Sequence, residues 1–139
     1  MARQIFVNLP VKDLDRSVEF FTNLGFTFDK QFTNADATCM IVGENIFVML
    51  LVEKFFRTFT KKDIADSSKV TEALICISAE SREEVDSLIA KAREAGGTIP
   101  RDIQDYGWMY SHAFEDIDGH IWELAYMDMS AVPDMTESA

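Results

Sequence analysis

Two histidines and a glutamate in the last third of the sequence are the residues best suited to chemistry at neutral pH. His112 lies in the run WMYSHAFED, and Glu123 lies in the run HIWELAYMD, which begins with His120. An imidazole titrates near neutral pH, and a carboxylate can act as a general base or bind a divalent metal. The turn between the two runs therefore decides which of these side chains can share a site.

That turn predicts that His112, and not His120, meets Glu123. If Ile117 and Asp118 form a two-residue hairpin loop, His112 lies directly across from Glu123 on the same face of the sheet. Such neighbours have β-carbons about 5 Å apart. Three interpretations stay open: a cross-strand ion pair, a catalytic acid/base pair in a pocket, or part of a metal site. His120 is an odd number of residues from Glu123, so we interpret it as a turn or surface residue on the opposite face.

The composition limits the classes of function. The chain has 139 residues, 47% of them hydrophobic, which is enough for one compact domain. Its formal net charge of −11 argues against a nucleic-acid partner, because phosphate neutralisation needs a basic face. The acidity fits solubility, and it also fits a cationic ligand. No apolar run reaches the roughly 18 residues of a membrane-spanning helix, and the opening MARQIFVNLP is not a signal peptide, so we expect a cytoplasmic protein without membrane contact.

We interpret the two cysteines as core residues. Cys39 and Cys76 each lie inside an apolar, strand-like run, and neither belongs to a CxxC motif. Cysteines in such runs usually behave as small hydrophobic side chains. The sequence therefore predicts neither a disulfide nor a thiol nucleophile.

The hydrophobic patterns predict the same order of elements twice. One amphipathic helix follows Asp13, which is placed to cap it, and a second follows the capping box that begins at Ser81. Neither half, of about 60 residues, makes a convincing core alone. The strand-like runs are residues 4–11, 26–33, 37–43, 46–52, 71–78, a short run near 98, 108–116 and 120–128.

This order predicts an α+β fold in which tandem βαβββ modules form a curved mixed sheet around a cavity. We expect a single domain over residues 1–128, with modules at 3–52 and 71–128 joined by a linker at 53–70. The polar residues 129–139 are expected to form a flexible tail.

Two motifs at opposite ends of the duplicated order are similar to one family. VKDLDRSVEFFTNLGF, residues 11–26, resembles the opening motif V-x-D-L-x-x-S-x-x-F-Y-x-x-L-G-F of the vicinal oxygen chelate (glyoxalase/bleomycin-resistance/dioxygenase) superfamily. DIDGHIWELAY, residues 116–126, resembles that family's terminal motif D-P-D-G-[HN]-x-x-E-[LF]. Members include glyoxalase I isomerases, extradiol dioxygenases, epimerases, fosfomycin-modifying thiol transferases and metal-free bleomycin-binding proteins. The resemblance therefore implies a fold and a small-molecule ligand and leaves the activity open.

The resemblance also implies where a metal would bind. Metal-dependent members place His and Glu ligands on the first and fourth strands of the modules, where divalent metals need imidazole or carboxylate donors. At these positions the sequence has Phe6, Met49, Glu72 and Glu123. Two of the four offer no ligand, so an ordinary glyoxalase I site is not expected. The metal candidates are then Glu72, His112 and Glu123, and the cofactor stays unknown.

The remaining candidates are residues that could line a ligand pocket. They are Phe6, Met49, Glu72, Trp108 and Tyr110. Aromatic and methionine side chains on strands more often belong to a core, and Glu72 also fits an exposed strand start.

Three functions agree with these residues. The first is a glyoxalase-like lyase or isomerase in which Glu123 removes a proton next to a carbonyl. The second is a metal-free protein of the bleomycin-resistance type that sequesters a cationic drug or metabolite. The third is a structural or regulatory module without ligand chemistry. Open sheet edges also lead us to expect a homodimer.

Overall fold

The protein, described by a computed structural model over residues 2–134, contains two four-stranded mixed sheets and three helices. The strand orders are β1-β4-β3-β2 and β5-β8-β7-β6, and only the β1–β4 and β5–β8 pairs are parallel. The predicted α+β fold with two βαβββ modules is confirmed. The strands are β1 (Ile5–Val11), β2 (Thr27–Asp29), β3 (Ala37–Gly43), β4 (Ile46–Val52), β5 (Leu74–Ala79), β6 (Gln104–Asp105), β7 (Met109–Glu115) and β8 (Ile121–Met127), and the helices are α1 (Leu14–Asn23), α2 (Glu53–Phe56) and α3 (Arg82–Glu94).

The chain divides into two compact units. The first comprises the described residues up to 72 together with 117–119, and the second comprises 73–116 and the residues from 120 onward. Residues 53–70, predicted to be a linker, belong to the first unit and begin with α2. Of the predicted flexible tail, residues 135–139 lie outside the described part of the chain. Within residues 2–134 no helix is long and apolar enough to cross a membrane.

Both long helices begin where their capping residues predict. The Asp13 side chain accepts a hydrogen bond from the Arg16 N–H at 3.2 Å, and the Ser81 hydroxyl accepts one from the Glu84 N–H at 3.0 Å. These bonds satisfy backbone donors that a helix cannot satisfy internally. Of the stripe that the periodicity of α3 predicts to be buried, Val85, Ile89 and Ala92 pack against the second sheet, whereas Leu88 is only partly buried.

Two strands differ from the prediction by more than one residue at an end, and the short strand expected near residue 98 lies instead at Gln104–Asp105. β2 ends at Asp29, because the Asp29 side chain accepts a hydrogen bond from the Gln31 N–H at 2.9 Å and starts a 3₁₀ turn. β5 begins at Leu74, which pairs with Ile121, the first residue of β8. Glu72 was predicted to lie on this strand, but the strand begins two residues later, because β8 has no residue left to pair with Glu72. Glu72 is exposed.

The first unit holds residues 117–119 through hydrogen bonds to Asp118. The Asp118 carboxylate accepts hydrogen bonds from the Lys12 N–H at 3.0 Å and from the Ser17 hydroxyl at 3.2 Å. Its carbonyl oxygen accepts one from the Ser67 hydroxyl at 2.5 Å. Gly119 follows with φ +91°, and a β-carbon there would lie 2.6 Å from the Ser67 carbonyl oxygen. The packing at this turn therefore requires glycine.

We expect Gly119→Ala to destabilise the protein more than Gly25→Ala does. Both glycines have positive φ, but no atom lies within 4 Å of a β-carbon built on Gly25. Backbone strain should cost about 1–2 kcal/mol in each variant. The clash with Ser67 should add roughly 1–3 kcal/mol for Gly119→Ala alone. Urea unfolding measures the difference, and equal losses would contradict the close approach.

Candidate functional site

The register of the β7–β8 hairpin places His112 and Glu123 on opposite faces of the second sheet. His112 pairs with Leu124, and Ala113 pairs with Glu123. Directly paired residues share a face and successive residues alternate, so the predicted His112–Glu123 pair is wrong by one residue. Tyr110 is displaced in the same way, and it pairs with Tyr126 instead of Ala125.

Asp116 is the cause of this shift. Its backbone N–H donates to the His120 carbonyl at 2.9 Å, which leaves three residues in the loop instead of two. Its buried carboxylate accepts hydrogen bonds from the His120 N–H and from the Trp122 indole N–H, both at 3.0 Å. These bonds fix the longer loop, and the positive φ of Gly119 closes it.

The face that carries His112 and Tyr110 is the one covered by α3. Trp122 and Leu124 are buried there, and the Tyr110 hydroxyl donates to the Asp86 carboxylate of α3 at 2.7 Å. That hydrogen bond raises the pKa of Tyr110, because it stabilises the protonated phenol. Tyr110, predicted to line a ligand pocket, therefore belongs to the contact between helix and sheet.

The His112 ring is hydrogen-bonded to the backbone of Arg101. Its Nε2 lies 3.2 Å from the carbonyl oxygen of Arg101, and a carbonyl oxygen only accepts, so Nε2 carries the proton. His112 therefore holds the chain at Arg101 from the α3 side of the sheet.

On the face away from α3, Glu123 forms an ion pair with Arg101. Arg101 Nη2 lies 3.2 Å from Glu123 Oε2, and the side chains are 23% and 22% exposed. The same Nη2 donates to the buried Ser111 hydroxyl at 2.9 Å, and Nη1 donates to the Asp102 carbonyl at 3.0 Å. We call Arg101, Ser111 and Glu123 the polar centre of this face.

Cys76 lies beside the polar centre. It pairs with Glu123 in the β5–β8 register, on the same face, and its side chain is exposed. Its predicted core role is thus wrong, whereas Cys39, 1% exposed, fits that prediction. Partial removal from water raises the pKa of the Cys76 thiol, the charge of Glu123 raises it further, and Arg101 opposes both.

Two of the other predicted pocket residues share one face of the first sheet. Phe6 stacks on Phe47 with ring centroids 5.0 Å apart, and Asn8, two residues on from Phe6, pairs with Met49. Phe6 remains half exposed. Trp108 belongs to the second unit, where it precedes β7, and its carbonyl oxygen accepts a hydrogen bond from the Asp128 N–H at 2.7 Å.

The side chains present do not fit a divalent metal. Glu123 is already compensated by a guanidinium, and His112 lies on the other face, so the predicted combination of Glu72, His112 and Glu123 does not form. Phe6 has no lone pair, and a methionine thioether is a poor ligand for hard divalent ions. Among the residues that the structure describes, no three His, Cys, Asp or Glu side chains are grouped closely enough to hold a metal.

Arg101 is the site residue that the sequence did not reveal. It lies in the connection between α3 and β6, which has no hydrophobic period and no motif. The one sequence feature that could have placed Arg101 near the site is the predicted short strand near Thr98. Thr98 forms an isolated antiparallel bridge with Glu115, and this bridge directs the following residues along β7 toward His112.

Comparisons with known proteins agree with the fold. The family model of the Glyoxalase/Bleomycin resistance protein/Dioxygenase superfamily matches residues 3–124. No curated protein matches the chain. Among solved structures, the hypothetical protein SA1046 from S. aureus is 27% identical, with a TM-score of 0.77 and coverage of 91% of this chain and 94% of that chain.

Two further solved structures show the fold alone, because their sequence identity is low. The genomically encoded fosfomycin resistance protein FosX from Listeria monocytogenes is 18% identical, with a TM-score of 0.65 and coverage of 100% of this chain and 99% of that chain. The lactoylglutathione lyase from Agrobacterium tumefaciens is 15% identical, with a TM-score of 0.67 and coverage of 95% and 98% respectively.

The electrostatics of the polar centre predict opposite effects of two substitutions on Cys76. Glu123→Gln removes a charge that raises the thiol pKa, so the pKa should fall and alkylation by iodoacetamide at neutral pH should accelerate about twofold to tenfold. Arg101→Met removes a charge that lowers the pKa, so alkylation should slow. Mass spectrometry distinguishes Cys76 from the buried Cys39, which serves as the internal reference. Equal rates in all three proteins would mean that the thiol does not sense the ion pair.

Proposed function

The chain belongs to the glyoxalase/bleomycin resistance protein/dioxygenase superfamily, and on that basis we propose that it binds a small organic molecule at the polar centre without a resident metal. The observation that carries this proposal is the 3.2 Å ion pair between Arg101 and Glu123. In a metal site, a divalent cation would compensate the glutamate. Here a cation fixed to the chain does so.

The surroundings of the ion pair support a binding role. Glu123 lies across from Ala113, and the neighbouring Ser111 and Ala125 are also small and buried. A few polar groups on an otherwise apolar surface are typical of small-molecule sites, where they fix the orientation of the ligand. The first sheet also exposes an aromatic surface at Phe6 and Phe47.

A lyase or isomerase activity is the second candidate. It is favoured by the position of Arg101, whose N–H groups lie next to the carboxylate and could hold a developing oxyanion while Glu123 takes a proton. Protonation of Glu123 would, however, remove its attraction to Arg101, so the proton transfer would be opposed by loss of the ion pair. Binding needs no such loss, and we therefore place it first.

The cationic ligand inferred from the net charge has less support at the polar centre itself. The formal charges of Arg101 and Glu123 cancel, so the −11 of the whole chain acts there only at long range. Such long-range attraction is screened by salt over about 8–10 Å.

We expect small aromatic carbonyl compounds, benzamide among them, to bind protein that has been dialysed against EDTA. Binding should shift backbone NMR signals of β5, β7 and β8 and slow the alkylation of Cys76. Arg101→Met should weaken it about tenfold, since loss of a partly buried polar contact costs about 1–2 kcal/mol.

The Arg82–Asp105 ion pair, at 2.8 Å and more exposed, provides the matched control. Arg82→Met removes the same charge and length of side chain and should leave binding unchanged. Binding that appears only after nickel or zinc is added, or that falls equally in both variants, would overturn the proposal.

We also propose that the protein is a cytoplasmic homodimer. β1 and β5 each lie at one edge of their sheets, and Ile5 and Leu74 on these strands are more than half exposed. Two-fold association is a common way to cover such edges. The free thiols of Cys39 and Cys76 support a reducing compartment.

Light scattering should give about twice the 15.8 kDa chain mass at micromolar concentration. Ile5→Lys should shift that mass toward one chain, whereas Phe59→Lys, at an exposed position outside the sheets, should not. A single-chain mass for the unsubstituted protein would contradict the dimer.

A further inference from the structure

We infer that the polar centre recognises an uncharged group with a hydrogen-bond donor and an acceptor side by side, as in a carboxamide. This inference rests on the proposed function and specifies its ligand class. It follows from the hydrogen-bonding groups of Arg101 and Glu123 that the protein leaves unused.

The first step is a count of donors on Arg101. A guanidinium has five N–H groups. Nη2 donates to Ser111 and Glu123, and Nη1 donates once, to the Asp102 carbonyl. Two N–H groups therefore remain, one on Nη1 and one on Nε, without a partner among the described residues.

The second step concerns the acceptor. Glu123 Oε2 accepts from Arg101, whereas Oε1 has no hydrogen-bond partner within residues 2–134. No side-chain nitrogen or oxygen that is buried in the described part of the chain lacks a partner. The Arg101 and Glu123 side chains are 23% and 22% exposed, so both are partly accessible to a ligand from solvent.

The third step is the space around these atoms. On β7, Glu123 is paired with Ala113, and on β5 with Cys76, so its carboxylate rises from among short side chains. Neither paired position therefore carries a long side chain that would cover the carboxylate, which favours a flat ligand.

The charges then select among ligand groups. A carboxylate would satisfy Arg101 but be repelled by Glu123, and an amidinium would satisfy Glu123 but be repelled by Arg101. A carboxamide can donate its N–H to Glu123 Oε1 and accept from Arg101, with no net charge to remove from water. Its two hydrogen bonds are both to charged partners, and such bonds are stronger than those between neutral groups.

The test uses benzamide, benzoate and benzamidinium, three probes that share one ring and nearly one shape. NMR titration of the full-length protein gives their relative affinities from the signals of β5, β7 and β8. We expect benzamide to bind at least about fivefold more tightly than either ion, and its own affinity to change little with salt because the probe is neutral.

Two variants should reverse the preference in opposite directions. Glu123→Gln leaves the guanidinium uncompensated and should make benzoate the preferred probe, and Arg101→Met leaves the carboxylate uncompensated and should favour benzamidinium. Arg82→Met and Asp105→Asn alter the control ion pair and should keep the original order. Dispersed NMR spectra confirm folding, and Glu123→Gln, which keeps the side-chain shape, suffices if Arg101→Met does not fold.

The outcomes separate the inference from the proposed function. If an ion binds most tightly to the unsubstituted protein, or if Glu123→Gln leaves the order unchanged, the carboxamide inference is wrong while the site stands. If no probe shifts the signals of this face at millimolar concentration, both the proposed site and the inference are overturned.

Discussion

A buried carboxylate at position 116 sets the geometry on which the candidate site depends. Asp116 binds the backbone of His120 and the indole of Trp122, and together these bonds define the length of the β7–β8 loop. A buried polar group is costly unless hydrogen bonds compensate it, so the loop that provides those bonds is favoured over a shorter one. Since loop length sets strand register, Asp116 determines which face carries Glu123.

The β7–β8 register explains why the sequence predicted most of the strands and helices but not the pairing of the site residues. The strands at 37–43 and 46–52 and the starts of both long helices were predictable, because apolar periodicity and capping residues are local signals. The His112–Glu123 pair was not, because the bonds of one aspartate side chain added a residue to the loop. A shift of one residue exchanges the two faces of a strand, so an error of one residue in the loop length placed His112 on the wrong face relative to Glu123.

Arg101 and Cys76 were missed for different physical reasons. Arg101 meets Glu123 across 22 residues of chain, from a connection whose path follows from tertiary pairing and not from local pattern. Cys76 lies in an apolar run, but β5 alternates between faces, and the face that carries Cys76 is not the one packed by α3. The hydrophobic pattern located strand β5. Which of its side chains are exposed to solvent depends on how the other strands and α3 pack around it.

A guanidinium beside Glu123 changes the kind of chemistry available there. A divalent ion accepts electron pairs from several directions and can exchange, whereas a guanidinium offers directional N–H groups in one plane and remains attached to the chain. The polar centre is accordingly suited to hydrogen-bond recognition, with Ser111 and the backbone of Asp102 holding the plane of Arg101.

The exposed Cys76 thiol next to the polar centre is also a position at which a small molecule can be attached covalently. A fragment joined to Cys76 through a disulfide would stay within a few bond lengths of Glu123, because the two residues are paired across neighbouring strands. Tethering of this kind replaces a bimolecular encounter by an intramolecular one, with an effective concentration in the millimolar range for a short flexible link. Fragments far too weak to be detected free in solution could thereby be ranked on this protein, each held at the same distance from the same two charges.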